Sequence, residues 1–280
     1  MPAIASQRKP RLKAPPGACD THMHFYDPKY PMAPTALLSP PPGDAPTYRL
    51  LQQRLGIERT VVVQPTAYGT DNRCTLEGIA ALGLGVARGI AVVDDRASLE
   101  HLKALTEGGI RGARFQMLPG GAIPWDMLDA IAARVQDFGW HVQLQTDGRV
   151  FPERARQIMS WPGRIVIDHV GKFLEPVGVE HPAFRCLLRF VETGRVWAKL
   201  SAPYEVSKSG APGYEDVGRL AKALVKAAPE RMLWASNWPH PSVKEGPDDA
   251  DLLDLILDWA PDEGVRHRIL VDNPAELYGF

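Results

Sequence analysis

Short apolar runs alternate with stretches of three-and-four apolar spacing along the whole chain, and this alternation recurs eight times. The strand-like runs are Ala18–His24, Arg59–Gln64, Ala87–Val93, Gly112–Gln116, His141–Thr146, Arg164–His169, Val196–Ser201 and Met232–Ser236. Each is β-branched or apolar, and most end in a polar residue or a turn. The helical patterns are Tyr48–Leu55, Thr75–Ala81, Ser98–Glu107, Trp125–Phe138, Pro152–Trp161, Pro182–Glu192, Tyr214–Ala228 and Asp249–Trp259. Strands that alternate with helices favour a parallel sheet, and eight such units without a second domain predict a closed (β/α)8 barrel of the α/β class. An open, doubly wound sheet would carry a glycine-rich turn after its first strand. This chain has His24-Phe25-Tyr26-Asp27-Pro28 there. The barrel is expected to occupy 18–280, behind an N-terminal arm over 1–17.

Two segments fall outside the repeat. Asp27–Pro46 holds seven prolines, and Ser201–Pro212 has the same character. Both follow strands, so in a barrel both are loops of the catalytic face. The arm is rich in Lys, Arg and Pro with no apolar core, which excludes a secretory signal and suggests a solvated tail.

Composition narrows the function classes. A formal charge of -1 gives no electrostatic reason to expect nucleic acid or an anionic membrane. No apolar run is long enough to span a bilayer. Three scattered cysteines, Cys19, Cys74 and Cys186, argue against a disulfide framework and fit a reducing cytoplasm. The expected partner is a small molecule; the composition leaves a homo-oligomer open.

In a barrel, polar residues at the strand C-terminal ends meet in one pocket. Those positions hold His22 and His24, Thr66 and Tyr68, Arg114 and Gln116, Gln145 and Asp147, His169 and Lys172, Ser201 and Tyr204, and Asn237 and His240. His22 and His24 share a strand face by the two-residue period. A lone histidine at a strand end is usually structural; three that converge point to function. Arg114 is either half of a structural ion pair or a clamp for a substrate carboxylate, and Lys172 has the same two readings. Trp234 and Trp238 read as packing, and His101, His181 and His267 receive no role. Cations and hydrogen-bond donors outnumber carboxylates here, which suits an anionic, oxygen-rich substrate. His22, His24 and His169 would meet the ligand count of a catalytic zinc. Against that, Arg114 and Lys172 repel a divalent ion, and Gln145, Arg114 and Asn237 stand where further ligands would be wanted. The expectation is no metal and no cofactor.

The ordered motifs Asp20-Thr21-His22-Met23-His24, Arg111-Gly112-Ala113-Arg114-Phe115, Ile167-Asp168-His169-Val170-Gly171-Lys172, Leu200-Ser201-Ala202-Pro203-Tyr204 and Asn237-Trp238-Pro239-His240-Pro241 resemble the lactone-processing group of the amidohydrolase superfamily. The likeness runs from about Ala18 to Phe280. Hydrolytic members of that group carry aspartate at the last-strand position, where this chain has Asn237. An amide cannot take a proton from water. The resemblance therefore implies a metal-independent isomerase of sugar-acid lactones, with a lactone hydrolase as the alternative. It implies His169 as proton shuttle, His22 or His24 at the carbonyl, and Asn237 on a substrate hydroxyl or the oxyanion. Arg114 and Lys172 would take the carboxylate. Tyr204, Gln145, Ser201, Tyr68 and His240 would complete the substrate-binding set.

Overall fold

The structure, a computed structural model, describes residues 8–37 and 40–280. All eight strand-like runs form strands: β1 Cys19–Met23, β2 Arg59–Val63, β3 Ala87–Ala91, β4 Ile110–Gln116, β5 His141–Gln145, β6 Ile165–Ile167, β7 Val196–Leu200 and β8 Met232–Trp234. They are parallel and hydrogen-bonded in chain order. Helices α1 Ala45–Leu55, α2 Arg73–Leu82, α3 Leu99–Glu107, α4 Leu128–Gln136, α5 Phe151–Ser160, α6 Pro182–Glu192, α7 Glu215–Ala227 and α8 Asp249–Trp259 return the chain between strands and cover the sheet. The architecture is a single (β/α)8 barrel. Local signals set the helix limits: Asp44 accepts from Thr47 N at the start of α1, and Gly56 ends it at φ 75°. All three cysteines are free and buried. No helix of the described residues is long and apolar enough to cross a membrane.

Three features depart from the sequence reading. The helical pattern at Trp125–Phe138 is a short 3-10 turn at Trp125–Met127 followed by α4, which ends at Gln136. Beyond α8 the chain adds α9 Glu263–His267 and α10 Asn273–Tyr278. Leu277 and Tyr278 join Cys19, Val61, Ile90 and Trp197 in an apolar cluster that fills the lower barrel interior, so the C-terminal helix stoppers the face opposite the loops. The arm, expected to be solvated, is docked from residue 8 onward. Leu12 is buried, its N–H donates to Asp254 Oδ1 at 2.9 Å, and Arg8 pairs with Asp254 at 3.1 Å. Residues 1–7 of that arm lie outside the described residues.

The seam between β8 and β1 is closed at the loop end. Asn237 N–H donates to the His22 carbonyl at 2.8 Å and His24 N–H to the Trp238 carbonyl at 2.8 Å. The Asp20 carboxylate, fully buried, accepts from Ser236 N at 3.0 Å, His22 N at 3.1 Å, Tyr48 Oη at 2.9 Å and the Ser236 hydroxyl. Burial nonetheless pushes its pKa up to about 6, against the pull of those bonds. The β1–β2 register shifts between Asp20 and Met23. That irregularity lets Asp20 face α1 while His22 still faces the interior. Removing the Asp20 carboxylate strands several buried donors at once. Asp20→Ala is therefore expected to cost about 3 kcal/mol, read as a lower urea midpoint at unchanged slope. A cost below about 1 kcal/mol, the scale of one ordinary hydrogen bond, would mean that the backbone contacts alone hold the seam.

Candidate active site

The loop face opens into a cavity with about 720 Å³ of empty space, and His24, Arg114, Gln145, His169, Lys172 and Asn237 all line it. Thr66 and Gln116 line it too, as does Pro40 from the proline-rich loop. The remaining candidates stand one layer back. His22 lies beneath, wholly buried, its ring 4.8 Å from those of both His24 and His169. Ser201 Oγ is 2.8 Å from His169 Nδ1. Tyr68 fastens the first loop, its hydroxyl 2.9 Å from both the N–H and the carbonyl of Asp27. Asp147 caps the turn after β5 and pairs with Arg149 at 2.6 Å.

The three imidazoles are neutral bases. Burial pushes His22 and His169 well below the usual imidazole value, and burial with Arg114 takes His24 down to about 3. His24 Nδ1 is 2.7 Å from the Val63 carbonyl, which only accepts. Its proton therefore sits on Nδ1, and the Nε2 lone pair is left free.

Backbone strain concentrates at the same strand ends. His169, Val170 and Lys172 have φ of 54°, 56° and 49°, and Asn237 and His240 both have 61°. A β-branched residue in this left-handed region is a true outlier, and each such residue costs on the order of 1–3 kcal/mol. Five residues held this way at the ends of β6 and β8 are over-determined by their surroundings, as functional positions are.

A layer of polar groups missed in the sequence supports the imidazoles from below. Lys199 Nζ, fully buried, donates to the Thr21 carbonyl at 2.8 Å and Gln143 Oε1 at 2.7 Å. It stands 3.5 Å from Asp168 Oδ1 and 3.3 Å from His22 Nδ1. Gln143 Nε2 donates to Asp168 Oδ2 at 3.1 Å. The signal was available: Lys199 falls in phase with Ser201, and Gln143 with Gln145, on otherwise apolar strands. This layer also bears on the expectation of no metal. His22, Asp168 and His169 offer ligand atoms within 4.8 Å of one another. However, Asp168 is already compensated by the Lys199 ammonium, and Arg114 and Lys172 face the same space. The donor set does not fit a divalent cation, and His24 is not part of it.

Arg114 is buried, donates to the Gln64 carbonyl at 2.8 Å and Gln145 Oε1 at 2.7 Å, and its Nε has no partner. No carboxylate of the described residues forms an ion pair with it, which opposes the ion-pair reading and leaves that of a carboxylate clamp open. Lys172 differs: it pairs with Glu205, from the loop after β7, on the cavity wall. Glu205 is a further group the sequence reading passed over, although it is the only acid in Ser201–Pro212.

Glu205 also fixes the orientation of the Asn237 amide. The amide atom 3.4 Å from Glu205 Oε1 and 2.8 Å from Tyr204 Oη must be Nδ2, because a carboxylate only accepts. Tyr204 Oη in turn lies 2.9 Å from His240 Nδ1, and His240 Nε2 lies 3.1 Å from Asp249 Oδ1 in a bent approach. With the amide hydrogens turned toward Tyr204 and Glu205, the free pole of Asn237 is Oδ1, an acceptor. Tyr204 and His240 therefore stand behind Asn237.

Known proteins match this chain over nearly its whole length. The chain is 38% identical to a D-galactarolactone isomerase of Agrobacterium fabrum, over 96% of this chain and 93% of that protein. It is 36% identical to a 2-pyrone-4,6-dicarboxylate hydrolase of Comamonas testosteroni, over 98% and 94%. The crystal structure of an Agrobacterium tumefaciens protein superposes with a TM-score of 0.92 at 38% identity, covering 97% of each chain. The amidohydrolase family model matches residues 19–280, so this chain belongs to the amidohydrolase family.

Proposed function

We propose that the protein is an isomerase that converts D-galactaro-1,5-lactone to D-galactaro-1,4-lactone in the catabolism of sugar acids. The observation that carries the reading is Asn237: just past β8 it lines the cavity with its amide nitrogen engaged by Tyr204 and Glu205, which leaves Oδ1 as an acceptor. An acceptor that cannot take a proton can align a hydroxyl without activating water. The name and coverage of the Agrobacterium fabrum relative support the same substrate.

The reaction is an intramolecular acyl transfer. Asn237 Oδ1 accepts from the C4 hydroxyl and holds it over the lactone carbonyl. His169, neutral and steadied by Ser201, takes the hydroxyl proton as the C4 oxygen bonds to C1. The C1–O5 bond then breaks, and the same proton returns to the C5 oxygen, so no water is consumed. Arg114 binds the free carboxylate, and Gln145 and Lys172 lie within the same cavity to meet the ring hydroxyls. Three free cysteines support a cytoplasmic enzyme.

Glu205 favours a second reading. It is a carboxylate on the cavity wall, as a lactone hydrolase would need. Its bonds to Lys172, Ser242 and Asn237 oppose that role, because they engage both of its oxygens. Galactaro-1,5-lactone followed by NMR separates the two. An isomerase gives the 1,4-lactone as first product, whereas open-chain galactarate as first product would replace the isomerase with a hydrolase.

A further inference from the structure

The charged groups of the cavity compensate one another in pairs, with one left over. Below, Lys199 faces Asp168 at 3.5 Å. Above, Lys172 contacts Glu205, and both side chains are nearly inaccessible to solvent. Arg114 alone has no acid partner among the described residues. We propose that Glu205 sets the charge class of the substrate: by occupying Lys172 it reserves the cavity for lactones with one carboxylate and turns away those with two. This rests on the isomerase reading, since the lactone of a six-carbon diacid retains one free carboxylate.

The geometry gives Glu205 this task rather than a merely structural one. Its Oε2 holds Lys172 and its Oε1 takes Ser242 Oγ and Asn237 Nδ2, so three loops meet on one carboxylate. A second substrate carboxylate beside Lys172 would stand against the Glu205 carboxylate on the same cavity wall, and displacing Glu205 would leave a buried, unpaired acid. Burial and Arg114 push the Lys172 ammonium down to about 8, so it is still mostly charged at pH 7 and can hold the Glu205 carboxylate. A built-in acid at a second cation is a repulsive device against a dianion, and specificity often takes this form.

The test uses benzoate and isophthalate, which differ by one carboxylate and are not substrates, titrated by NMR at pH 7. The wild-type protein is expected to bind benzoate at least as tightly as isophthalate. In Glu205→Gln the isophthalate-to-benzoate affinity ratio should rise about tenfold or more, since Lys172 is freed for a charge-assisted bond. Glu205→Asp should keep the wild-type ratio, and Glu205→Gln with Lys172→Gln should lose the gain. An unchanged ratio in folded Glu205→Gln, or a gain that survives loss of Lys172, overturns the proposal. Neither readout depends on turnover: a protein inactive on galactaro-1,5-lactone would end the isomerase reading and leave the binding ratio measurable.

Discussion

Replacing His169 with asparagine should lower kcat by about two to four orders of magnitude, the usual contribution of a positioned proton-transfer group. KM should stay within a few-fold, because the proposed mechanism has Arg114 and not His169 hold the carboxylate. Asparagine is the right probe, since it tolerates the left-handed backbone that His169 adopts at φ 54° and so separates chemistry from folding. Steady-state kinetics on the 1,5-lactone measures both constants. A drop of less than tenfold would move the proton transfer to His24, whose Nε2 is also free. The wild-type pH profile carries the same information. The working form of His169 is unprotonated, and burial and its neighbours lower its pKa. Activity that requires the base should therefore persist below pH 6.5, where an ordinary imidazole would be half protonated. An acid limb centred near 6.5 would show an exposed histidine at work instead.

Asn237→Asp should give the protein lactone hydrolysis, with open-chain galactarate as a direct product. The expected gain is on the order of a hundredfold over any background, the lower range for an added general base. Its pH dependence should be distinctive. The new carboxylate would lie beside Glu205, whose Oε1 is 3.4 Å from the present Nδ2. Two acids at that spacing cannot both ionise easily, so the new group titrates above the ordinary aspartate range. Hydrolysis should therefore rise with pH toward neutrality, not plateau from pH 4. If isomerisation falls and no hydrolysis appears at any pH, position 237 does not decide between hydroxyl and water.

How far the site was legible depended on how local each signal was. Period-two alternation placed His22 and His24 on one face, and strand ends gathered Arg114, Gln145, His169, Lys172 and Asn237 into one cavity. The contacts that assign their roles are not local. Lys172 finds Glu205 33 residues away, and Lys199 reaches the Thr21 carbonyl across 178. Nothing in a strand such as Val196–Leu200 says which partner its one lysine will meet. The orientation of Asn237 was equally hidden, because a neighbouring carboxylate, not the amide itself, decides which pole is free. The left-handed backbone at Val170 runs against every local preference and so could come only from tertiary packing. The helices after α8 were missed for a simpler reason: a count of strand–helix pairs is complete without them.

One of the bonds that join the first strand to the last runs between His22 and Asn237, so on the proposed mechanism the same short bridge serves both the scaffold and the reaction. Substitutions that tighten this junction would also shift the spacing between an imidazole and the amide that aligns the hydroxyl. Thermal robustness and product choice are therefore inherited together at this place. A lineage could not harden one without retuning the other, whereas the far end of the molecule, stoppered by Tyr278, can change without that penalty.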